Sequence, residues 1–178
     1  MAVTAAARLT LVLGGARSGK SRHAEQLVTG LPPPWIYVAT AQALDDEMAS
    51  RIAEHRARRD RRWRTVEAPR DLARTIDGAE GAPVLIDCLT LWLTNLMLAD
   101  ADLDSEMSRL EEALGRAGGP VVLVANEVGL GIVPDNALAR RFRDAAGRLN
   151  QRIAARADRV VMMVAGLPLE VKHDQAGR

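Results

Sequence analysis

The sequence predicts an α/β fold, a mostly parallel sheet flanked by helices. Five short apolar runs carry the prediction: Leu9–Leu13, Trp35–Thr40, Val84–Cys88, Val121–Ala125 and Val160–Val164. Most are continuous rather than alternating, as strands covered on both faces are. Helical stretches separate them, which lets successive strands run parallel and places ligands at their carboxyl ends.

The first run leads into Gly14-Gly15-Ala16-Arg17-Ser18-Gly19-Lys20-Ser21, which fits the phosphate-binding pattern G-x-x-x-x-G-K-[ST]. A helix predicted over Ser21–Leu27 follows it. Glycines let backbone N–H groups converge on phosphate oxygens, and the helix turns its positive end toward them. Lys20 adds a mobile charge for the β- and γ-phosphates, and Ser21 offers a hydroxyl to Mg²⁺. Lys20 and Lys172 are the only lysines in an arginine-rich chain. The loop thus keeps lysine where its chemistry requires it. This motif narrows the fold class to P-loop NTPase-like, and a RecA-like arrangement is the expectation.

Leu31-Pro32-Pro33-Pro34 is a connector into the second strand. Beyond that strand, Asp45-Asp46-Glu47 open a helix predicted over Asp46–Arg59, with negative charge at its amino end. Met48, Ile52 and His55 share one face of it. Arg56, Arg58, Arg59, Arg61, Arg62 and Arg64 follow, opposed only by Asp60. By spacing, His55 is either a packed helix residue or a nucleophile. The arginines are either a solvated face or an anion clamp. Spacing does not choose between these.

A short helix near Leu72–Ile76 precedes the third strand, which ends in Asp87. Such a carboxylate beside a phosphate loop holds Mg²⁺ directly or through water, although a lone strand-terminal Asp is more often a turn former. Cys88 reads as a small buried residue without chemistry. Helices over Leu91–Leu98, Ser105–Ala117 and Asn136–Ala157 complete the pattern, with Gly118-Gly119-Pro120 as a connector. Residues after about Gly166 turn polar. Residues 1–7 and 173–178 read as loose ends of one domain covering 1–178, with His173 free and His23 a packing or surface residue.

Composition narrows the function classes. A hydrophobic content of 48% and a charged content of 26% are globular values. A net charge of +1 and an aromatic content of 3% argue against nucleic acid as a partner. The single Cys88 fits a reducing compartment, no apolar run is long enough to span a membrane, and Met1 to Ala7 does not read as a signal peptide. A cytoplasmic protein is expected. Asn126-Glu127-Val128-Gly129 has Glu where the guanine-binding Asn-Lys-x-Asp signature needs Lys, which disfavours a switch-type GTPase. No kinase Gly-rich loop with its catalytic companion motif occurs.

Taken in order, the blocks resemble one family over nearly the whole chain, from Leu11 to about Lys172. They are the phosphate loop through Arg22, Tyr37-Val38-Ala39-Thr40-Ala41, Leu44-Asp45-Asp46-Glu47-Met48 with Arg51-Ile52 and His55, and Trp63-Arg64-Thr65-Val66-Glu67. They continue with Asp87 to Leu96, Asn126 to Pro134, and Phe142 to Gln151. The chain is similar to the bifunctional adenosylcobinamide kinase/adenosylcobinamide-phosphate guanylyltransferase family of cobalamin biosynthesis. The resemblance implies that ATP or GTP phosphorylates adenosylcobinamide, and that GMP from GTP then moves onto that phosphate. It implies a guanylyl-histidine intermediate at His55, with Lys20 as the other catalytic residue. It implies nucleotide contacts at Gly14 through Ser21, at Ala39, Thr40 and Ala41, at Arg56, Ala57, Arg58 and Arg59, at Glu67 and at Asp87. Ser21 and Asp87 would hold Mg²⁺, and the family's trimers imply a homotrimer.

For Glu67 the chemistry is direct, since a carboxylate can accept from both the ring N–H and the amino group of guanine. A surface glutamate in a loop is the plain alternative. An attacking imidazole must be unprotonated, so guanylylation is expected to fall below about pH 6.5. Asn95, Glu127 and Arg143 have no derivable role; Asn95 and Glu127 face the cobinamide side or serve as caps. Trp63 and Trp92 read as core or interface anchors, and the Leu89–Leu98 helix as interface or sheet packing. Two rival readings are a monofunctional small-molecule kinase with a structural His55 and a nucleotide-binding regulator without turnover. The Mg²⁺ apparatus argues against the regulator.

Overall fold

In a computed structural model, which describes residues 7–42 and 59–173, seven strands form one sheet in the order β3-β2-β4-β5-β1-β6-β7. The strands are β1 (Leu9–Gly14), β2 (Trp35–Ala39), β3 (Trp63–Glu67), β4 (Val84–Asp87), β5 (Val121–Asn126), β6 (Arg159–Val164) and β7 (Leu167–His173). The helices among the described residues are α1 (Lys20–Thr29), α2 (Leu72–Asp77), α3 (Leu89–Leu98), α4 (Leu103–Arg116) and α5 (Ala137–Arg156). All pairings are parallel except that of β6 with β7. The expected α/β class is therefore the observed one.

Alternate residues of the central strands serve two cores, because successive side chains point to opposite faces. Leu11, Ile36, Val38, Ile86 and Leu123 pack under α2 to α5 through Leu72, Trp92, Leu110, Leu149 and Ile153. Val12, Tyr37, Leu85, Val124 and Val161 pack on the other face with Ala24 and Val28 of α1. Both faces are covered, which is why the strands read as unbroken apolar runs.

Two strands depart from the sequence expectation. β3 lies in a stretch read as the tail of an arginine run, and its exposed Arg64 and Glu67 mark it as a sheet-edge strand. β7 (Leu167–His173) occupies the stretch expected only to turn polar, up to the start of the expected loose tail. Ala165 and Gly166 take φ of 51° and 82°, a two-residue turn that folds the chain back along β6. His173 is accordingly paired in register with Arg159 rather than free. The helix expected over Asp46–Arg59 lies outside the described residues except for Arg59. Helix α3 is core, with Leu89, Trp92, Leu93 and Leu96 buried. Among the described residues, no helix is long and apolar enough to cross a membrane.

Candidate active site

The carboxyl ends of β1 to β4 collect the expected site residues that the structure describes. Gly14 closes β1, Gly15 to Gly19 form the loop, and Lys20 and Ser21 open α1. Gly19 has φ 91°, a left-handed conformation that suits glycine and starts the helix without a side-chain cap. By contrast, α2, α4 and α5 begin on Asp71, Asp102 and Asn136, whose side chains accept from first-turn N–H groups. The first-turn donors of α1 have no such partner and carry the helix's positive end.

Gly14 is required by close approach. A Cβ there would stand 3.0 Å from the Met163 carbonyl and would overlap the Ser18 hydroxyl. Inside the loop, Lys20 Nζ donates to the Gly15 carbonyl at 2.9 Å, folding its charge over the loop. Ser18 Oγ is buried and has no hydrogen-bond partner. Two neighbours brace the loop through main-chain bonds. The Gly166 N–H donates to the Ser18 carbonyl at 3.2 Å, and the Glu127 N–H donates to the Gly14 carbonyl at 3.1 Å.

On the other side of β5, Ala39 pairs in register with both Glu67 and Asp87. Glu67, Ala39 and Asp87 therefore form one row at the ends of β3, β2 and β4. Glu67 is exposed and ends a strand rather than sitting in a loop. Asp87 is half-buried, and its Oδ2 accepts from the Tyr37 hydroxyl at 3.1 Å. Burial, and then the charge of Asp87, push the Tyr37 phenol well above its ordinary value, so it stays a donor. The Arg59 guanidinium lies over the Tyr37 ring, with its Cζ 3.6 Å from the ring centroid. Its Nε and Nη1 are buried without hydrogen-bond partners. Buried guanidinium donors in that state favour an anion within reach. Trp63 meets the same ring edge-on at 6.1 Å and is half-buried, an anchor rather than a platform.

Thr40 is fully buried, with its hydroxyl held between the main-chain N–H and C=O of Cys88. Its side chain therefore fastens the end of β2 to the end of β4. Ala41 is half-buried just beyond it. Burial, and then the neighbouring Asp87, raise the Cys88 thiol to about 11, which keeps it protonated and inert. Asn95 proves structural: its Nδ2 donates to the Thr40 carbonyl at 2.8 Å and to the Pro69 carbonyl at 2.9 Å. It binds the segments after β2 and β3 to α3. Trp92 does related work, buried and donating to the Arg70 carbonyl at 2.6 Å. Glu127 turns its Oε1 to the Gly129 N–H at 2.6 Å, closing a turn. Arg143 pairs with its neighbour Asp144. His23, half-buried on α1, has its basicity lowered by burial and then by Arg159, with Glu170 opposing. His55, Arg56, Ala57 and Arg58 lie outside the described residues.

Ser21 and Asp87 are hard oxygen donors, and Mg²⁺ is commonly held by one or two such side chains plus substrate phosphates. Among the described residues no group of three or more His, Cys, Asp or Glu could form an all-protein metal cage. The donor set therefore fits a cation that arrives with a nucleotide. Sequence reasoning did not find Tyr37 as a partner of Asp87. Its place in an apolar strand reads as core, and only the fold brings its hydroxyl to β4.

Comparison with known proteins bears on this site. Residues 10–171 match the family model described as cobinamide kinase / cobinamide phosphate guanyltransferase. A Pseudomonas aeruginosa relative called bifunctional adenosylcobalamin biosynthesis protein CobP is 54% identical over 92% of this chain and 97% of its own. Relatives called bifunctional adenosylcobalamin biosynthesis protein CobU, from Salmonella typhimurium and Escherichia coli, are 47% and 46% identical over 92% of this chain and 99% of theirs. Among solved structures, a type III secretion system ATPase superposes with a TM-score of 0.56 at 15% identity, covering 92% of this chain and 56% of that one. A Pyrococcus horikoshii protein, PH0250, gives 0.56 at 8% identity, covering 95% and 88%. These two likenesses concern the fold alone.

Proposed function

The chain belongs to the cobinamide kinase / cobinamide phosphate guanyltransferase family, and from that premise we propose how its residues divide two reactions. It is a bifunctional enzyme of adenosylcobalamin biosynthesis, a kinase and a guanylyltransferase. The observation that carries the residue assignment is the row Glu67–Ala39–Asp87, in register across β5 from a phosphate loop whose helix has no side-chain cap.

In the kinase reaction, ATP or GTP places its phosphates against the loop N–H groups and the first turn of α1. Lys20 leaves the Gly15 carbonyl for the β- and γ-phosphates, and the γ-phosphoryl group passes to a hydroxyl of adenosylcobinamide. Ser21 and Asp87 hold Mg²⁺, which when bound offsets the charge developing on the phosphates. In the second reaction, the neutral imidazole of His55 attacks the α-phosphorus of GTP. A P–N bond forms, the bond to the β-phosphate oxygen breaks, and pyrophosphate leaves. A phosphate oxygen of adenosylcobinamide phosphate then displaces the imidazole, giving adenosylcobinamide-GDP. Two easier displacements replace one hard one. Arg56, Arg58 and Arg59 balance the pyrophosphate charge, Ala57 lies within that run, and Glu67 reads guanine. Ala39, Thr40 and Ala41 contribute the main chain that lines this side.

A homotrimer fits the exposed Leu130, Ile132, Val133, Leu167 and Leu169. A cytoplasmic setting fits the unpaired, buried Cys88.

The test is incubation with Mg²⁺ and GTP labelled at the α- or the γ-phosphate, for the wild type and His55→Ala. We expect acid-labile protein label from the α-position alone, absent in the variant. No covalent label in wild type, with cobinamide phosphorylation intact, would overturn the role of His55 and leave only the kinase.

A further inference from the structure

We propose that Tyr37 is a positioning residue that sets both charged groups of the nucleotide site from one aromatic ring. The inference rests on the assignment of Asp87 to the cation and Arg59 to phosphate given above. Its basis is that two separate contacts meet on one side chain. The phenol hydroxyl donates to Asp87 Oδ2 at 3.1 Å, and the ring face carries the Arg59 guanidinium at 3.6 Å.

The ring itself does not move freely. Tyr37 is 5% exposed, and Trp63 packs against its edge while Trp35 packs on Trp63 at 5.3 Å. A fixed ring fixes what it touches. With Oδ2 held by the hydroxyl, rotation of the Asp87 carboxylate is restricted, and Oδ1 has no hydrogen bond among the described residues. Such an oxygen is preorganised for a cation, the arrangement in which an outer partner orients a ligating carboxylate.

The second contact acts on the phosphate side. Arg59 Nε and Nη1 are buried and donate to nothing. The ring's π face compensates the guanidinium's charge but cannot accept its in-plane N–H groups. Arg59 is thus held over the ring with two donors that a phosphate could take up. Stacking also restrains a long side chain whose free rotamers would otherwise have to be ordered on binding. Tyr37 keeps the anion partner and the cation partner a fixed distance apart, and the triphosphate with its metal must match that spacing.

Tyr37→Phe separates the two contacts, because it keeps the ring and deletes only the hydroxyl. Free Mn²⁺ would be followed by electron paramagnetic resonance as it is titrated into protein saturated with a non-hydrolysable GTP analogue. Pyrophosphate affinity would be measured separately without metal. For Tyr37→Phe we expect the Mn²⁺ Kd to rise about tenfold, within the range for lost outer partners of metal ligands. Metal-free pyrophosphate affinity should match the wild type. Tyr37→Leu, which removes the ring, should also weaken pyrophosphate, and so should Arg59→Ala. Mn²⁺ affinity in Tyr37→Phe equal to wild type would overturn the positioning of Asp87. A folded Tyr37→Leu with undiminished pyrophosphate affinity would overturn the positioning of Arg59. Wild-type protein that takes up neither probe would instead sink the underlying site assignment, and the proposal with it.

Discussion

The Thr40 hydroxyl stands between both main-chain groups of Cys88, accepting from its N–H at 2.7 Å and donating to its C=O at 2.8 Å. One side chain thereby satisfies two buried polar groups and locks the end of β2 against the end of β4. Asp87 is the residue just before that lock. Its position depends on a tie made by a fully buried side chain.

Replacing Thr40 with Val keeps the volume but leaves the Cys88 N–H unpaired and its carbonyl with the Trp92 N–H alone. We expect a loss of about 1–3 kcal/mol in stability, read as a lower urea midpoint with an unchanged slope. Thr40→Ser should recover most of it. A Val variant as stable as the wild type would show that the lock contributes little.

Gly14→Ala tests the close approach under the phosphate loop. The Ser18 side chain can rotate away from a new Cβ, but the Met163 carbonyl 3.0 Å away belongs to a central strand. Overpacking of this kind costs about 1–3 kcal/mol. It should also shift the loop enough to weaken GTP binding by about tenfold or more, measured by calorimetric titration. Wild-type affinity would mean that the loop tolerates the methyl group.

Glu67→Gln addresses base selection. A carboxylate can accept from two guanine N–H groups, whereas an amide oxygen paired with an NH₂ group cannot match both. The charged hydrogen bond lost is worth about 1.5–3 kcal/mol, roughly tenfold or more in affinity. GTP should weaken relative to ATP in the kinase reaction by about that factor. An unchanged preference would remove Glu67 from guanine recognition.

Stability in acid should reflect Glu111. Burial alone would raise its carboxyl, but bonds from Arg152 and Arg156 outweigh this and leave it below its ordinary 4.5. The unfolded chain then binds protons more readily than the folded one as pH falls. The contribution is fully present above about 4.5 and drains away as pH falls through the lowered folded value. Urea midpoints measured from pH 7 down to pH 3 should fall less steeply in Glu111→Gln. An equally steep fall would assign the acid sensitivity to other carboxylates.

The central sheet was legible in the sequence because its strands are buried on both faces and carry almost no polar residues. The phosphate loop was legible because its chemistry restricts residue types at fixed spacing. β3 was not, because an edge strand bearing Arg64 and Glu67 resembles the basic run before it. β7 left a readable trace in the alternation of Leu167, Leu169 and Val171 after Ala165-Gly166. Pro168, Glu170 and Lys172 between them made the segment look like a polar end. At the site, Asp87 was expected as a carboxylate ending an apolar strand near the phosphate loop, and Glu67 from the family resemblance. Tyr37 and Asn95 were not assigned roles, since a hydroxyl or amide acquires its role only when distant strands are brought together. Asn95 reaches across 55 residues to Thr40.

The strand order carries a consequence for how the chain is made. β1 emerges first during synthesis, yet its two neighbours are β5 and β6, which begin at Val121 and Arg159. The nucleotide loop at its end is braced by Gly166, later still. A nascent chain therefore cannot complete the pairing of β1 until β6 has been translated. Until β5 emerges β1 remains an apolar segment with both edges unpaired, which is when aggregation competes with folding and chaperones matter most.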